Sequence, residues 1–344
     1  MHSAGWGQAM SWIGQSLRPV LRRTGSGLLA LLALSGCAAE RALAPLQAYR
    51  LRTIELPLDN SALVLAFAPN SVGLDDAQLE AWVTSGARAV TAYYGRFPIP
   101  RVQVMVDAAD GDGPQSGTAF GFTPPVIRMT IGRATQPEDL ARDWMMTHEM
   151  VHLAFPRLAQ KHHWLEEGLA TYVEPIARVQ AGQLPPEQVW RDLMHGLPYG
   201  LPQPGDQGLD NTPTWGRTYW GGALYCLLAE IEIRQLTDNR RGLQDALRGV
   251  VQAGGTIGSI WSIEQALEAG DHATSVNVLM QLYARMRAAP VDVDLPELWR
   301  VLGVRLVDGN IVFDDEAPLA SIRKAITALP STPAPSTANG RNGS

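Results

Sequence analysis

His148-Glu149-Met150-Val151-His152, with Trp164-Leu165-Glu166-Glu167-Gly168-Leu169-Ala170-Thr171-Tyr172 a short way on, decides how the rest of this chain is read. Two imidazoles four residues apart on a helix share one face, so both can reach a single metal ion. Glu149 is turned off that axis yet stays close enough to take a proton from a water at the metal. A catalytic zinc takes three protein ligands and keeps one position open. The third ligand has to come from outside the pentapeptide. Glu167, at the start of a second helix, is the candidate, while His163 and His162 could each reach back across the connection from Pro156.

The surroundings of the pentapeptide read as helix. Thr135 is the expected N-cap, Glu138 three residues later closes a capping box, Pro137 is tolerated in the first turn, and Pro156 marks the stop. Between them Leu140, Trp144, His148, Val151 and Phe155 fall on one stripe at helical spacing. The ligand face is then also the core face, which places the metal site inside the fold. The bland reading of the pentapeptide is a helix with two core histidines and a solvated acid. That of Glu167 is a first-turn carboxylate favoured by the helix dipole, a role that suits Glu166 better.

These residues resemble the gluzincin metallopeptidases, the group that contains thermolysin, the membrane alanyl aminopeptidases and the glycyl aminopeptidases. In the aminopeptidase branches the third ligand is the Glu of a W-L-x-E-G-x-A-like segment, which Trp164 to Ala170 match position for position. The resemblance therefore implies a Zn2+ cofactor held by His148, His152 and Glu167, with Glu149 as general base. Those families also carry a downstream Y-x-K-G-A helix start whose Tyr hydrogen-bonds the tetrahedral intermediate. Tyr219-Trp220-Gly221-Gly222-Ala223 keeps the Tyr and the second Gly but has Gly221 in place of Lys. Tyr219 is accordingly the implied second catalytic residue, and His195 a remote substitute for it. The G-x-M-E-N strand, which in the alanyl aminopeptidases supplies a Glu for the substrate's amino group, has Gly117-Thr118-Ala119-Phe120-Gly121 as its counterpart here, without a carboxylate. An edge strand there could still pair with a peptide main chain. The similarity spans residues 115 to 235 and implies hydrolysis of a peptide or protein substrate.

The N-terminus carries a different signal. Arg18, Arg22 and Arg23 precede an apolar run from Leu28 to Leu34, and Leu34-Ser35-Gly36-Cys37 resembles the lipobox of bacterial lipoproteins. The run is too short for a membrane span, which needs about 20 apolar residues. Residues 1–36 read as a signal peptide and Cys37 as the lipidation site, so the chain is expected in the bacterial cell envelope, held by an N-terminal lipid on the periplasmic or outer-membrane face. Removing that segment, which holds three Arg and no acidic residue, takes the formal charge from −6 to −9. An acidic chain of this kind is not expected to have nucleic acid as a partner. With Cys37 acylated, Cys226 has no intramolecular partner and reads as a small core residue on an apolar helical face.

The organisation expected is α+β, a strand-rich N-terminal half followed by a helical C-terminal half, which the resemblance makes a thermolysin-like zincin domain. After the linker 37–49, a strand-rich subdomain covers 50–134, with strands at Arg52–Leu58, Leu63–Phe67, Arg101–Val106 and Val126–Ile131 and a helix from Leu74 to Tyr94. A helical subdomain covers 135–328. Its helices are expected at Pro186–His195, Tyr219–Gln235, Arg240–Val251, Ile263–Ala269, Ala273–Ala288 and Leu295–Leu302, with a terminal hairpin over Arg305–Phe313. Gly196 to Arg217, crowded with Gly and Pro, reads as a cleft-lining loop. The tail 329–344 is too polar to order itself. The alternative from another functional class is a membrane-anchored binding or assembly lipoprotein that keeps the scaffold without turnover.

Overall fold

Val102, Val104 and Val106 on β3 (Arg101–Ala109) and Ile127, Met129 and Ile131 on β5 (Val126–Gly132) are buried at every second position, the signature of strands with one face on a core. The computed structural model describes residues 51–58, 61–68 and 71–329. The signal segment 1–36, Cys37, the linker 37–49 and residues 330–344 of the tail lie outside them. With β1 (Arg52–Leu58), β2 (Ser61–Phe67) and β4 (Pro114–Phe120) these strands form one five-stranded sheet in the order β1-β2-β3-β5-β4. The three inner strands are parallel, and the edge strands β1 and β4 run antiparallel to their neighbours.

Between β2 and β3 the chain forms α1 (Asp76–Tyr94), opened by a reciprocal Asp75–Gln78 capping box and closed by Gly95 at a φ of 78°. The helix expected to run from Thr135 to Pro156 is two helices, α2 (Pro137–Arg142) and α3 (Met145–His152). Asp143 is the reason. Its carboxylate accepts the N–H groups of Met145 and Met146 at 2.9 and 3.0 Å and the Trp82 indole at 2.8 Å, so it starts a new helix where the old one stops. The cap of α2 also sits one residue later than expected: Asp139 accepts the Gln136 N–H, whereas the Thr135 hydroxyl donates to the Gly132 carbonyl.

A 3₁₀ turn at Gln160–His162 leads into α4 (His163–Gln180), and α5 (Pro186–Gly200) follows. α5 runs five residues beyond its expected end at His195, so the irregular stretch is 201–216 rather than 196–217. Gly196 and Gly200 belong to a packing surface, not to a loop: a Cβ on Gly196 would stand 2.1 Å from the Trp220 ring, and one on Gly200 2.3 Å from the Trp220 backbone. A π-helical turn, Arg217–Gly221, then opens α6 (Gly222–Leu236).

The remaining helices are α7 (Leu243–Gln252), α8 (Ile263–Thr274), α9 (Val278–Met286) and α10 (Leu295–Leu302). The break between α8 and α9 lies later than expected because Asp271 reaches over to accept the Leu279 and Met280 N–H groups. The terminal hairpin pairs β6 (Val304–Val307) with β7 (Asn310–Phe313) through Asp308 and Gly309, both at positive φ, and α11 (Ala320–Ile326) follows. The result is a mixed sheet-and-helix fold with one continuous apolar core among the described residues.

Candidate metal centre

α3 packs against α4, and β4 lies alongside α3. The helical spacing puts His148 and His152 on the α3 face turned to α4, and Glu167, in the second turn of α4, meets them there. One Glu167 carboxylate oxygen, Oε2, stands 3.2 Å from His148 Nε2 and 3.7 Å from His152 Nε2. Among the described residues these three form the one group of His, Cys, Asp or Glu side chains with ligand atoms close enough together for a metal, all within 4.8 Å of one another. Donors 2.0–2.1 Å from a tetrahedral zinc stand roughly 3.3–3.5 Å apart, so the set fits such an ion with little adjustment.

The two rival histidines go elsewhere. His163 Nε2 faces the other Glu167 oxygen, Oε1, at 3.3 Å, and its Nδ1 pairs with Glu166. His162 is buried and donates from Nδ1 to Asp210 at 2.9 Å. Glu166 accepts the Leu158 N–H at 2.9 Å, so it ties the α4 start to the chain that leaves α3.

Burial and charge set the protonation of this cluster. Burial pushes His152 down to about 4, leaving it in the neutral form that can coordinate metal. Burial also opposes the charged form of His148, but the hydrogen bond and charge of Glu167 outweigh it and raise the imidazole. Glu167 would be lifted by its own desolvation, yet His152 and His148 hold it down to about 2. Glu149 is raised to about 7, chiefly by burial, with the charge of Glu167 adding to the effect and His148 and the Ala119 N–H opposing it. A carboxylate of that kind exchanges a proton near neutrality.

Glu149 is held under β4. The space a side chain at Gly117 would occupy is filled by Glu149 itself, whose Cγ would lie 2.6 Å from a Cβ there. Tyr219 approaches from the opposite wall, on the π-helical turn. Burial, then the charges of Glu167 and Glu149, keep its phenol protonated. What lets it come so close is the crossing of α4 and α6. A Cβ on Gly168 would stand 2.3 Å from the Gly222 backbone, and one on Gly222 2.1 Å from the Trp164 carbonyl. Gly168 of the first motif and Gly222 of the second are thus the contact between two helix backbones.

The metal-ligand set, Glu149 and Tyr219 all line one cavity of about 520 Å³, walled by β4 residues 115–119 and by Trp144, Phe155, Arg157 and Ile257. The β4 wall, Gln115-Ser116-Gly117-Thr118-Ala119, brings no carboxylate. His195 is exposed and does not line the cavity. Cys226 is fully buried in α6, with its thiol pushed up by desolvation and by Glu230. The sequence reading missed Asp143, Arg157 and Ile257. Only Asp143 left a sequence signal: an Asp two residues ahead of the Met145–His152 helix is an N-cap residue type.

No family model matches the chain, and no curated protein matches it. Solved structures do. An aminopeptidase N family protein from Idiomarina loihiensis is similar over 78% of this chain and 53% of its own length, at 14% identity and a TM-score of 0.53. The likeness is one of fold. A variant of the M1 zinc metallopeptidase from Deinococcus radiodurans aligns over 71% of this chain and 53% of its own, at 15% identity and a TM-score of 0.47. The chain thus spans about half the length of the solved structures it resembles.

Proposed function

We propose that this chain is a zinc metallopeptidase that hydrolyses peptide bonds in the bacterial cell envelope, tethered through a lipid on Cys37. The observation that carries the catalytic part is the meeting, in one cleft, of a His148–His152–Glu167 donor set with Glu149 beneath an edge strand. The aminopeptidase N family protein among the structural neighbours agrees with it at the level of fold.

A zinc ion in the donor set supplies Lewis-acid polarisation of the scissile carbonyl and brings the pKa of water at its open position towards neutrality. The residues of the chain do the rest. His148, together with His152, kept neutral, and Glu167, kept ionised, would hold the cation. Glu149, raised to about 7, takes the proton of the attacking water and later passes it to the leaving amine. Tyr219, kept protonated, donates to the oxyanion of the tetrahedral intermediate. The outer edge of β4 offers main-chain groups to an extended peptide.

The deciding experiment loads the purified chain with zinc and screens it against free and N-blocked peptide libraries, beside Glu149→Gln. Cleavage by the wild type and its loss in the variant support the reading. No cleavage by the wild type, with function in cells kept by Glu149→Gln, would replace it with the binding-lipoprotein role.

A further inference from the structure

Among the described residues Arg157 is the sole Lys or Arg that lines the cavity, and it is held there from three sides. Its backbone is pinned to the 257–261 segment: its N–H donates to the Ser259 carbonyl at 2.9 Å, and its carbonyl accepts from Trp261 at 3.1 Å. Its guanidinium Nε donates to the Ile257 carbonyl at 3.1 Å. Its side chain lies along Gly121, just past the end of β4, where a Cβ would stand 2.8 Å from Nε and 2.2 Å from the Ile257 carbonyl. The Nε bond orients the guanidinium, while Nη1 and Nη2 keep four N–H donors. Among the described residues no carboxylate stands within ion-pair distance of it, although Glu166 lines the same cavity. The Glu166 oxygens are taken by the Leu158 N–H and His163.

Resting on the peptidase reading above, we infer that Arg157 is a carboxylate-binding subsite: the substrate is a peptide with an acidic side chain, or a terminal carboxylate, at the position that lies against the Phe155–Arg157 wall. A planar guanidinium with two free nitrogens matches a carboxylate in two parallel hydrogen bonds. Being fixed beforehand, it loses little side-chain freedom when it binds. The same cation, beside a β4 wall without a carboxylate, disfavours a free amino terminus at that position.

The test uses zinc-loaded protein and a fluorogenic, N-acetylated peptide set in which one position at a time is Glu, Gln or Lys, with a free or amidated C-terminus. The wild type should prefer Glu over Gln, or a free C-terminus over an amide, by about tenfold in kcat/KM at one position, mostly through KM. Arg157→Gln should bring that ratio close to one, and Arg157→Glu should turn the preference to Lys. Equal cleavage of acidic and amide peptides by the wild type, or an undiminished preference in Arg157→Gln, overturns the subsite and leaves the peptidase reading in place. If no peptide is cleaved, the peptidase reading fails. The subsite is then judged by binding of the same labelled peptides to wild type and Arg157→Gln, with equal affinities overturning it.

Discussion

Glu149 and Glu167 are both carboxylates of the same cleft, yet burial lifts one to about 7 and two flanking histidines hold the other near 2, so their chemistry separates. Glu149→Gln keeps the size of the side chain and removes the base. Zinc content measured by metal analysis should stay the same while turnover falls by about 10²-fold to 10⁴-fold. Glu167→Ala should instead lose zinc. Full occupancy at unchanged affinity would take Glu167 out of the ligand set and bring His163, already 3.3 Å from it, into that place. Tyr219→Phe should lower kcat by about 10²-fold with KM nearly constant, because it removes an oxyanion donor and little substrate contact. At this scale the sequence is at its most readable. A four-residue interval fixes which side chains share a helix face, so His148 and His152 could be paired without knowing what they face. That His163 meets the other oxygen of Glu167, and that His162 turns inward to Asp210, depends on a bend between two helices that no spacing encodes.

The ligand helix is short, and its stability rests on its ends and its partners. Asp143→Ala removes the acceptor for two N–H groups and the Trp82 indole, and should cost about 1–2 kcal/mol in chemical denaturation while weakening zinc binding. An unchanged unfolding midpoint and zinc affinity would show that α3 is held by packing alone. On α4, Glu174 is buried beside Arg178 at 3.0 Å, and burial, opposed by that arginine, pushes its carboxyl up to about 7. A carboxyl raised on folding gives stability that is complete below its unfolded value, about 4.3, and lost as pH climbs through 7. Glu174→Gln should therefore flatten the fall in unfolding free energy between those pH values, whatever its effect on the absolute stability. A slope equal to that of the wild type would locate the titration elsewhere. Helix positions were readable from period and punctuation, and their boundaries less so. Asp143 and Asp271 interrupt helical patterns by reaching for N–H groups, and Gly196 and Gly200, which look like loop residues in sequence, are contact points for Trp220.

Across the whole molecule, Asp210 ties the irregular stretch 201–216 to two helices. Asp210 accepts from Trp164 at 2.8 Å, from His162 at 2.9 Å and from Tyr283 at 2.9 Å, which joins the loop ahead of Tyr219 to the start of α4 and to α9. Asp210→Ala would leave those donors without their acceptor and should lower stability by about 1–3 kcal/mol, read by denaturant titration. Activity should fall further than zinc content, since the loop carries the chain into the turn that holds Tyr219. The proposed membrane tether is checked at the same scale: Cys37→Ser should leave the membrane fraction or remain unprocessed, and identical processing and retention would remove the lipid anchor from the proposal. The sequence by itself determined what is local: strand and helix periods, the shared face of two histidines, the turn at Asp308-Gly309, and the residue types of a zinc site. Only the tertiary structure decided that an edge strand covers Glu149, that glycines let α4 and α6 touch, and that Arg157 stands in the cleft. Local patterns arise from backbone geometry over a few residues, whereas these contacts join segments tens to a hundred residues apart and exist only once the core has closed around them.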